Sequence, residues 1–189
     1  KSPTLGLKAP EGATIIFDGK TNNTDAEVNE NGVLYSNFTT KPKFDKPYTA
    51  HIEFLLQYMP YARGQARSNS GCYFHDAYEL QVLDSFGLEG VDNECGGIYK
   101  ASAPKVNMCF PPLQWQTYDA EFTPPTYDAD GKKTAPAKLL VKHNGVLIQD
   151  LTLETGTPGR QQEGPGPRPI HFQGHGNKVQ YRNIWVKEK

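Results

Sequence analysis

The chain has 189 residues, enough for one domain with a sizeable core, and its 20 Lys and Arg against 21 Asp and Glu leave a net charge of -1. That balance supplies no global field for nucleic acid or an anionic membrane, so neutral partners are expected. No run approaches the roughly 18 apolar residues of a membrane span, and residues 1–10 lack the apolar centre of a signal peptide.

In chain order, residues 1–12 read as an N-terminal extension of one domain covering 1–189, and residues 13–17, ending at Asp18-Gly19, as a short first strand. Residues 20–30 carry no apolar period and read as loop, after which Asn31-Gly32 turns the chain into Val33-Leu34-Tyr35. Between 48 and 58 the alternation is the cleanest in the chain, with Tyr48, Ala50, Ile52, Phe54, Leu56 and Tyr58 on one parity and Thr49, His51, Glu53 and Gln57 on the other. A half-buried strand ended by Pro60 is the expectation.

Residues 69–84 place proton-transferring side chains on what reads as a buried strand. Over 78–84, Tyr78, Leu80 and Val82 share one face and Glu79 and Gln81 the other. Asp84 falls on the apolar parity, and a β-bulge after Val82 would bring it round beside Glu79 and Gln81. An antiparallel strand with one wet face explains the same pattern without chemistry. Residues 86–97 form an acidic, glycine-rich loop, Ile98-Tyr99-Lys100 a short strand candidate, and 113–122 a strand carrying Trp115, Tyr118 and Phe122. Residues 138–150 read as a hairpin about Asn144-Gly145, residues 156–169 as a Gly/Pro-rich loop, and 178–187 as a last strand with Val179, Tyr181 and Trp185 on one parity and Arg182 on the other. Gly and Pro supply 33 residues spread along the chain, and no segment sustains a 3.6-residue period. The class is therefore all-β, two antiparallel sheets packed as a sandwich.

Of the three cysteines, Cys95 and Cys109 flank a segment that a disulfide could staple, and that pair is favoured over free thiols or a metal site. No Cys-x-x-Cys or His cluster accompanies them.

Asn69-Ser70-Gly71 before an aromatic strand, Tyr78-Glu79-Leu80-Gln81-Val82-Leu83-Asp84, Gly97-Ile98-Tyr99, Trp115 leading a strand, Asn144-Gly145, and His175-Gly176-Asn177 running into Tyr181-Arg182-Asn183-Ile184 occur in the order seen in a known family. From about Ala13 onward the chain resembles the 3-keto-disaccharide hydrolase domain family. The resemblance implies a concanavalin-like β-jelly roll, exported and acting on carbohydrate; a start at Lys1 rather than Met suits a mature secreted or periplasmic product. It also implies cleavage of glycosides already oxidised at C3, where the ketone acidifies the C2 proton and the glycosidic oxygen leaves from C1 by β-elimination before water adds to the enone. Such a site needs a base near C2, an electropositive group at the C3 oxygen and a donor for the departing oxygen.

Glu79 and Asp84 are the candidate bases and His175, in a glycine-flanked loop, the second acid/base. Gln81 and Asn69 would orient hydroxyls, Tyr99 would stack on or hydrogen-bond a sugar ring, and Lys100 and Arg182 would polarise the ketone. No cofactor is required, while Glu79, Asp84 and water could hold a divalent cation. The loops 86–97 and 156–169 would wall the cleft. Two alternatives share these residues. Glu79 to Asp84 is similar to the bulged carboxylate signature of laminarinase-type retaining glycosidases, whose two carboxyls stand about 5–5.5 Å apart. A non-catalytic carbohydrate-binding module would use Tyr73, Tyr99 and Trp115 as its platform.

Overall fold

A computed structural model describes residues 1–189 and contains thirteen strands with a single 3-10 turn, Gly64–Ala66. In chain order the strands are β1 (Thr14–Phe17), β2 (Leu34–Tyr35), β3 (Phe38–Thr39), β4 (Tyr48–Leu55), β5 (Ser70–Phe74), β6 (Tyr78–Val82) and β7 (Trp115–Thr123). They continue with β8 (Thr126–Tyr127), β9 (Lys133–Ala135), β10 (Ala137–His143), β11 (Val146–Leu153), β12 (His171–Phe172) and β13 (Gln180–Glu188). The larger sheet runs β1-β13-β4-β7-β10-β11 with β2 on β13, the smaller runs β3-β12-β5-β6, and β8 pairs only with β9. Every pairing between these strands is antiparallel.

The two larger sheets pack face to face as a β-sandwich, because alternation turns one apolar face of each inward. Tyr48, Ala50, Ile52 and Phe54 of β4 and Tyr118, Ala120 and Phe122 of β7 meet Cys72 and Phe74 of β5 and Tyr78, Leu80 and Val82 of β6 in one continuous core. Aromatic rings bridge the layers: Phe74 lies 5.7 Å from Phe122, and Phe172 on β12 lies 4.9 Å from Tyr181 on β13. Each such ring removes about 150–250 Å² from water, several kcal/mol at ~25 cal/mol/Å².

The expected hairpin forms at Asn144 and Gly145, whose φ angles of 50° and 83° supply the left-handed pair of a two-residue turn. Three expectations are corrected. β4 is buried on both faces, not one, because residues 2–7 cross its outer side; His51 and Glu53 are 0% and 1% exposed. Residues 98–100 form no strand, since Ile98 makes only isolated bridges to Leu80 and Ser102 and Lys100 has φ 58°. Trp185 does not share a face with Tyr181: the β13–β4 register shifts between Arg182 and Trp185, where Asn183 takes φ 44°. Ile184 and Val186 enter the core, and Trp185 stacks at 5.5 Å on His51 outside it. β3, β8, β9 and β12, none longer than three residues, were not expected from the sequence.

Candidate active site

The outer face of the smaller sheet carries the site. β5 and β6 pair without a register shift, so Tyr73 stands opposite Glu79 and Gly71 opposite Gln81. β12 extends both rows, with His171 opposite Tyr73 and the Gln173 N–H bonded to the Gly71 carbonyl. Leu80 and Cys72, one residue along, face the core. The polar side chains therefore line up across three strands through pleating alone.

Above this face lies a cleft of about 340 Å³ lined by Gln65, Asn69, Tyr73, Glu79, Gln81, Tyr99, Pro158, Gly159, Gln173 and His175. Its volume suits a sugar-sized ligand. Glu79 forms the floor: its backbone N–H bonds Thr157 Oγ1 at 2.8 Å, and its Oε2 accepts the Tyr73 hydroxyl at 2.8 Å. Gly71 is needed beneath it, because a Cβ there would collide with Glu79 Oε1. Burial raises the Glu79 pKa, opposed by the Tyr73 hydrogen bond, to about 7. This carboxyl can hold or release a proton near neutrality.

Tyr73 is clamped as tightly. Its hydroxyl also lies 3.2 Å from the Pro158 carbonyl and receives Gln173 Nε2 at 3.4 Å, and a Cβ at Gly159, where φ is 106°, would come within 2.6 Å of it. Its single proton can serve Glu79 when that group is ionised and the Pro158 carbonyl when it is not. Beside them three amides hold one another: Asn69 Oδ1 and Gln65 Oε1 each accept from Gln81 Nε2 at 3.3 Å, and Asn69 Nδ2 bonds the Gln65 carbonyl at 2.8 Å. His175 is exposed at the rim, and Tyr99 is half-buried in the wall.

Glu79, Gln81, Asn69, Tyr99 and His175 thus come together, and three expected members do not. Asp84 is not carried round by a bulge, because the β5–β6 register is regular and β6 ends at Val82. It is buried instead beside Arg67, whose Nε lies 2.9 Å from Oδ2 as an ion pair lacking hydrogen-bond geometry. Arg182 sits on the opposite side of the sandwich, since the residue after core-facing Tyr181 must point outward from the larger sheet. There it bonds Glu53 Oε2 at 2.8 Å and covers the Trp115 ring at 4.0 Å, so that Trp115 too is remote from the cleft. Lys100 is exposed outside the lining, with Nζ 5.6 Å from the Tyr99 ring.

The Cys95–Cys109 disulfide is also corrected: all three cysteines are free and buried. Cys95 Sγ lies 3.1 Å from the Tyr118 hydroxyl, Cys109 Sγ faces the Leu83 and Phe110 carbonyls, and the two thiols hydrogen-bond each other without a covalent bridge. With Asp84 elsewhere, the carboxyl pair expected to hold a cation does not assemble, and no group of three His, Cys, Asp or Glu side chains does.

Sequence reasoning did not single out Gln65, Pro158, Gly159 or Gln173, and used Tyr73 only as a stacking platform. For Tyr73 the parity of β5 relative to Glu79 was the available signal. The others depend on which loops fold over the sheet. Of the two loops expected to wall the cleft, 156–169 contributes Pro158 and Gly159, whereas 86–97 acts from behind through the Asn93 carbonyl, which accepts Gln65 Nε2 at 2.8 Å.

A single carboxyl lining the cleft can act as base or acid but cannot form the two-carboxyl pair of a retaining glycosidase. Residues 12–187 match the model of the 3-keto-alpha-glucoside-1,2-lyase-like domain. A crystal structure of a "putative glycosyl hydrolase" from Parabacteroides distasonis ATCC 8503 is similar at 32% identity over 96% of this chain and 85% of that one, with a TM-score of 0.85. A second protein described in the same words from that organism shares the fold at 19% identity over 95% and 94%, with a TM-score of 0.66. Comparison with curated proteins gives no match. The match over nearly the whole length, with a structural relative above 30% identity, means that the chain belongs to the 3-keto-alpha-glucoside-1,2-lyase-like domain family.

Proposed function

We propose that this protein is a carbohydrate-active enzyme that breaks the glycosidic bond of 3-keto-glycosides by elimination. The observation that carries the reading is the solitary buried carboxyl of Glu79, held near a pKa of about 7 at the floor of a cleft that no second carboxyl lines. Ordinary double displacement needs a second carboxylate; deprotonation beside a ketone needs one base.

In this reading the Glu79 carboxylate takes the C2 proton, made acidic by the C3 ketone. The C2–H electron pair becomes the C1–C2 double bond, the C1–O bond breaks, and the departing oxygen takes a proton. In a 3-keto-α-glucoside the C2 hydrogen and the C1 oxygen are both axial and antiparallel, so base and acid belong on opposite faces of the ring. Glu79 on the sheet and His175 on the loop after β12 fit those two roles. Water then adds to the enone and yields the 3-keto sugar. Amide N–H donors and the Tyr73 hydroxyl are the groups available to the enolate oxygen, since Lys100 and Arg182 lie outside the lining.

Turnover of a 3-keto-α-glucoside beside its unoxidised parent tests this. The keto compound alone should release its aglycone, kcat/KM should rise with pH through about 7 as Glu79 ionises, and Glu79→Gln should lower the rate by at least roughly 10²-fold. Equal cleavage of the parent would reject elimination, and binding of sugars without turnover of either would leave a carbohydrate-binding module.

A further inference from the structure

The loop of residues 156–169 lays Thr157 on the Glu79 N–H and Pro158 on the Tyr73 hydroxyl, yet no backbone hydrogen bond joins one of its residues to another. Its anchors come from outside, and most of those near the cleft come from the turn between β5 and β6. There Asp76 Oδ1 lies 2.8 Å from Arg160 Nε, the Asp76 carbonyl accepts the Gln161 N–H at 3.1 Å, and the Ala77 carbonyl accepts the Thr157 N–H at 2.8 Å. His75 Nε2 lies 3.0 Å from the Gly166 carbonyl; a carbonyl only accepts, so Nε2 carries the proton.

This turn is not made of the residues its backbone favours. It runs from Phe74 to Ala77, closed by the Ala77 N–H on the Phe74 carbonyl at 3.1 Å, and both central residues are left-handed, His75 at φ 54° and Asp76 at φ 54°. The other neighbouring pair of left-handed residues is Asn144-Gly145, the residue types that such a turn prefers. Two residues carrying a Cβ, one of them a bulky imidazole, hold that conformation at a cost that Asn-Gly would avoid. Asn-Gly would also remove both side-chain contacts, since glycine has no carboxylate for Arg160 and asparagine no imidazole for Gly166. Strain of this kind persists where the surroundings over-determine it, and it concentrates beside functional sites. His75 and Asp76 are buried, and neither lines the cleft.

We propose that His75 and Asp76 are positioning residues of this site: their strained turn holds the loop 156–169 down beside Glu79, keeping the cleft walled and the carboxyl shielded from water. The kinetic consequence rests on reading Glu79 as the base of the reaction, whereas the holding of the loop does not. Near Glu79 and its partner Tyr73 the other ionisable groups are Cys72 from β5, His171 from β12, Tyr99 and His175 from the cleft walls, and Arg160 from the loop. Apart from burial, only Tyr73 bears on the proton affinity of Glu79. Freeing the loop therefore acts by admitting water, which lowers the Glu79 pKa from about 7 toward its ordinary 4.5.

Two variants of the full chain test this, read by melting midpoint, by hydrogen exchange of the Gln161 amide and by the pH dependence of kcat/KM on a 3-keto-α-glucoside. His75→Asn combined with Asp76→Gly should leave the midpoint unchanged or higher, because the turn relaxes, while protection of the Gln161 amide falls by at least about tenfold. The rise of kcat/KM should then centre below pH 7. Arg160→Gln, which breaks the ion pair from the loop side and leaves the turn intact, should loosen the same amide without raising the midpoint; it keeps the test if the double variant does not fold. A merely structural turn would lower the midpoint and leave the pH profile where it was. That result overturns the proposal, as does unaltered protection of Gln161 in both variants. If the unaltered protein turns over no keto-glucoside, the Glu79 carboxyl is titrated by NMR instead. A lowered pKa in the variants then keeps the positioning role while the elimination reading falls, and turnover with unchanged protection and pH profile gives the reverse.

Discussion

Glu79 and Tyr73 show how a cross-strand pairing becomes chemistry. Directly opposite residues on antiparallel strands stand about 4.5–5.5 Å apart, close enough for the hydroxyl of one to serve the carboxyl of the other. Burial then makes the charged form of Glu79 expensive. Its folded pKa of about 7 lies above the ordinary 4.5, so its protonation favours the folded state fully below pH 4.5, and that contribution is lost as pH rises through 7. With Glu79 buried, that rise corresponds to about 3 kcal/mol. Glu79→Gln is therefore expected to raise the melting midpoint at pH 8 and to change it little at pH 4.5. Equal shifts at the two pH values would mean that Glu79 is not a buried, proton-holding group.

At the scale of elements, the N-terminal segment of residues 2–7 covers the larger sheet's outer side. Thr4 Oγ1 bonds Asp119 Oδ2 at 2.6 Å, Ser2 Oγ bonds Thr117 Oγ1 at 2.6 Å, and the Leu7 carbonyl accepts from Asn183 Nδ2 at 3.0 Å and Trp185 Nε1 at 3.2 Å. Beneath it His51 Nδ1 lies 2.6 Å from Asp119 Oδ1. Burial alone would raise the Glu53 pKa, but hydrogen bonds from His51, Asn183, the Gly6 N–H and Arg182 bring it down to about 2. Glu53 thus stabilises the fold above pH 4.5, and its contribution falls away as pH drops toward 2. His51 is raised despite burial by its two carboxylate partners, so its contribution is complete below its ordinary 6.5 and is lost as pH climbs through its folded value. Removing residues 1–7 would strip partners from Glu53, Asp119 and Asn183 together, and the chain should lose more than about 2 kcal/mol in urea unfolding. A loss under 0.5 kcal/mol would show that the segment merely rests on the sheet.

For the molecule as a whole, the absence of a disulfide means that the aromatic core and two sheets hold the fold without covalent help. Melting midpoints with and without dithiothreitol should coincide, and denaturation should release three titratable thiols; a drop with reductant would restore the Cys95–Cys109 bridge. Pairing was illegible in the sequence because spacing says which cysteines can meet, not whether they bond: Cys95 and Cys109 meet as hydrogen-bonded thiols and stay unbridged. The period-2 alternation of residues 48–55 and 78–82 was sufficient to establish an all-β sandwich, because side chains on a strand can reach only two sides. The same rule placed Glu79 and Gln81 together, whereas Asn69, Tyr99 and His175, which join them in the cleft, were expected from the family resemblance. It failed for Asp84 and Trp185, where a bulge was expected in the wrong strand: β6 is regular and β13 is the one that shifts at Asn183. It was silent on Gln65, Pro158, Gly159 and Gln173, which reach Glu79 through loops distant in the chain. Local periodicity thus determined the class, the core faces and the central carboxyl. Only the packing of loops over the smaller sheet decided which side chains surround that carboxyl, how far its proton affinity is raised and that no Lys or Arg lines the cleft, because desolvation and through-space contacts arise from neighbours that sequence order does not specify.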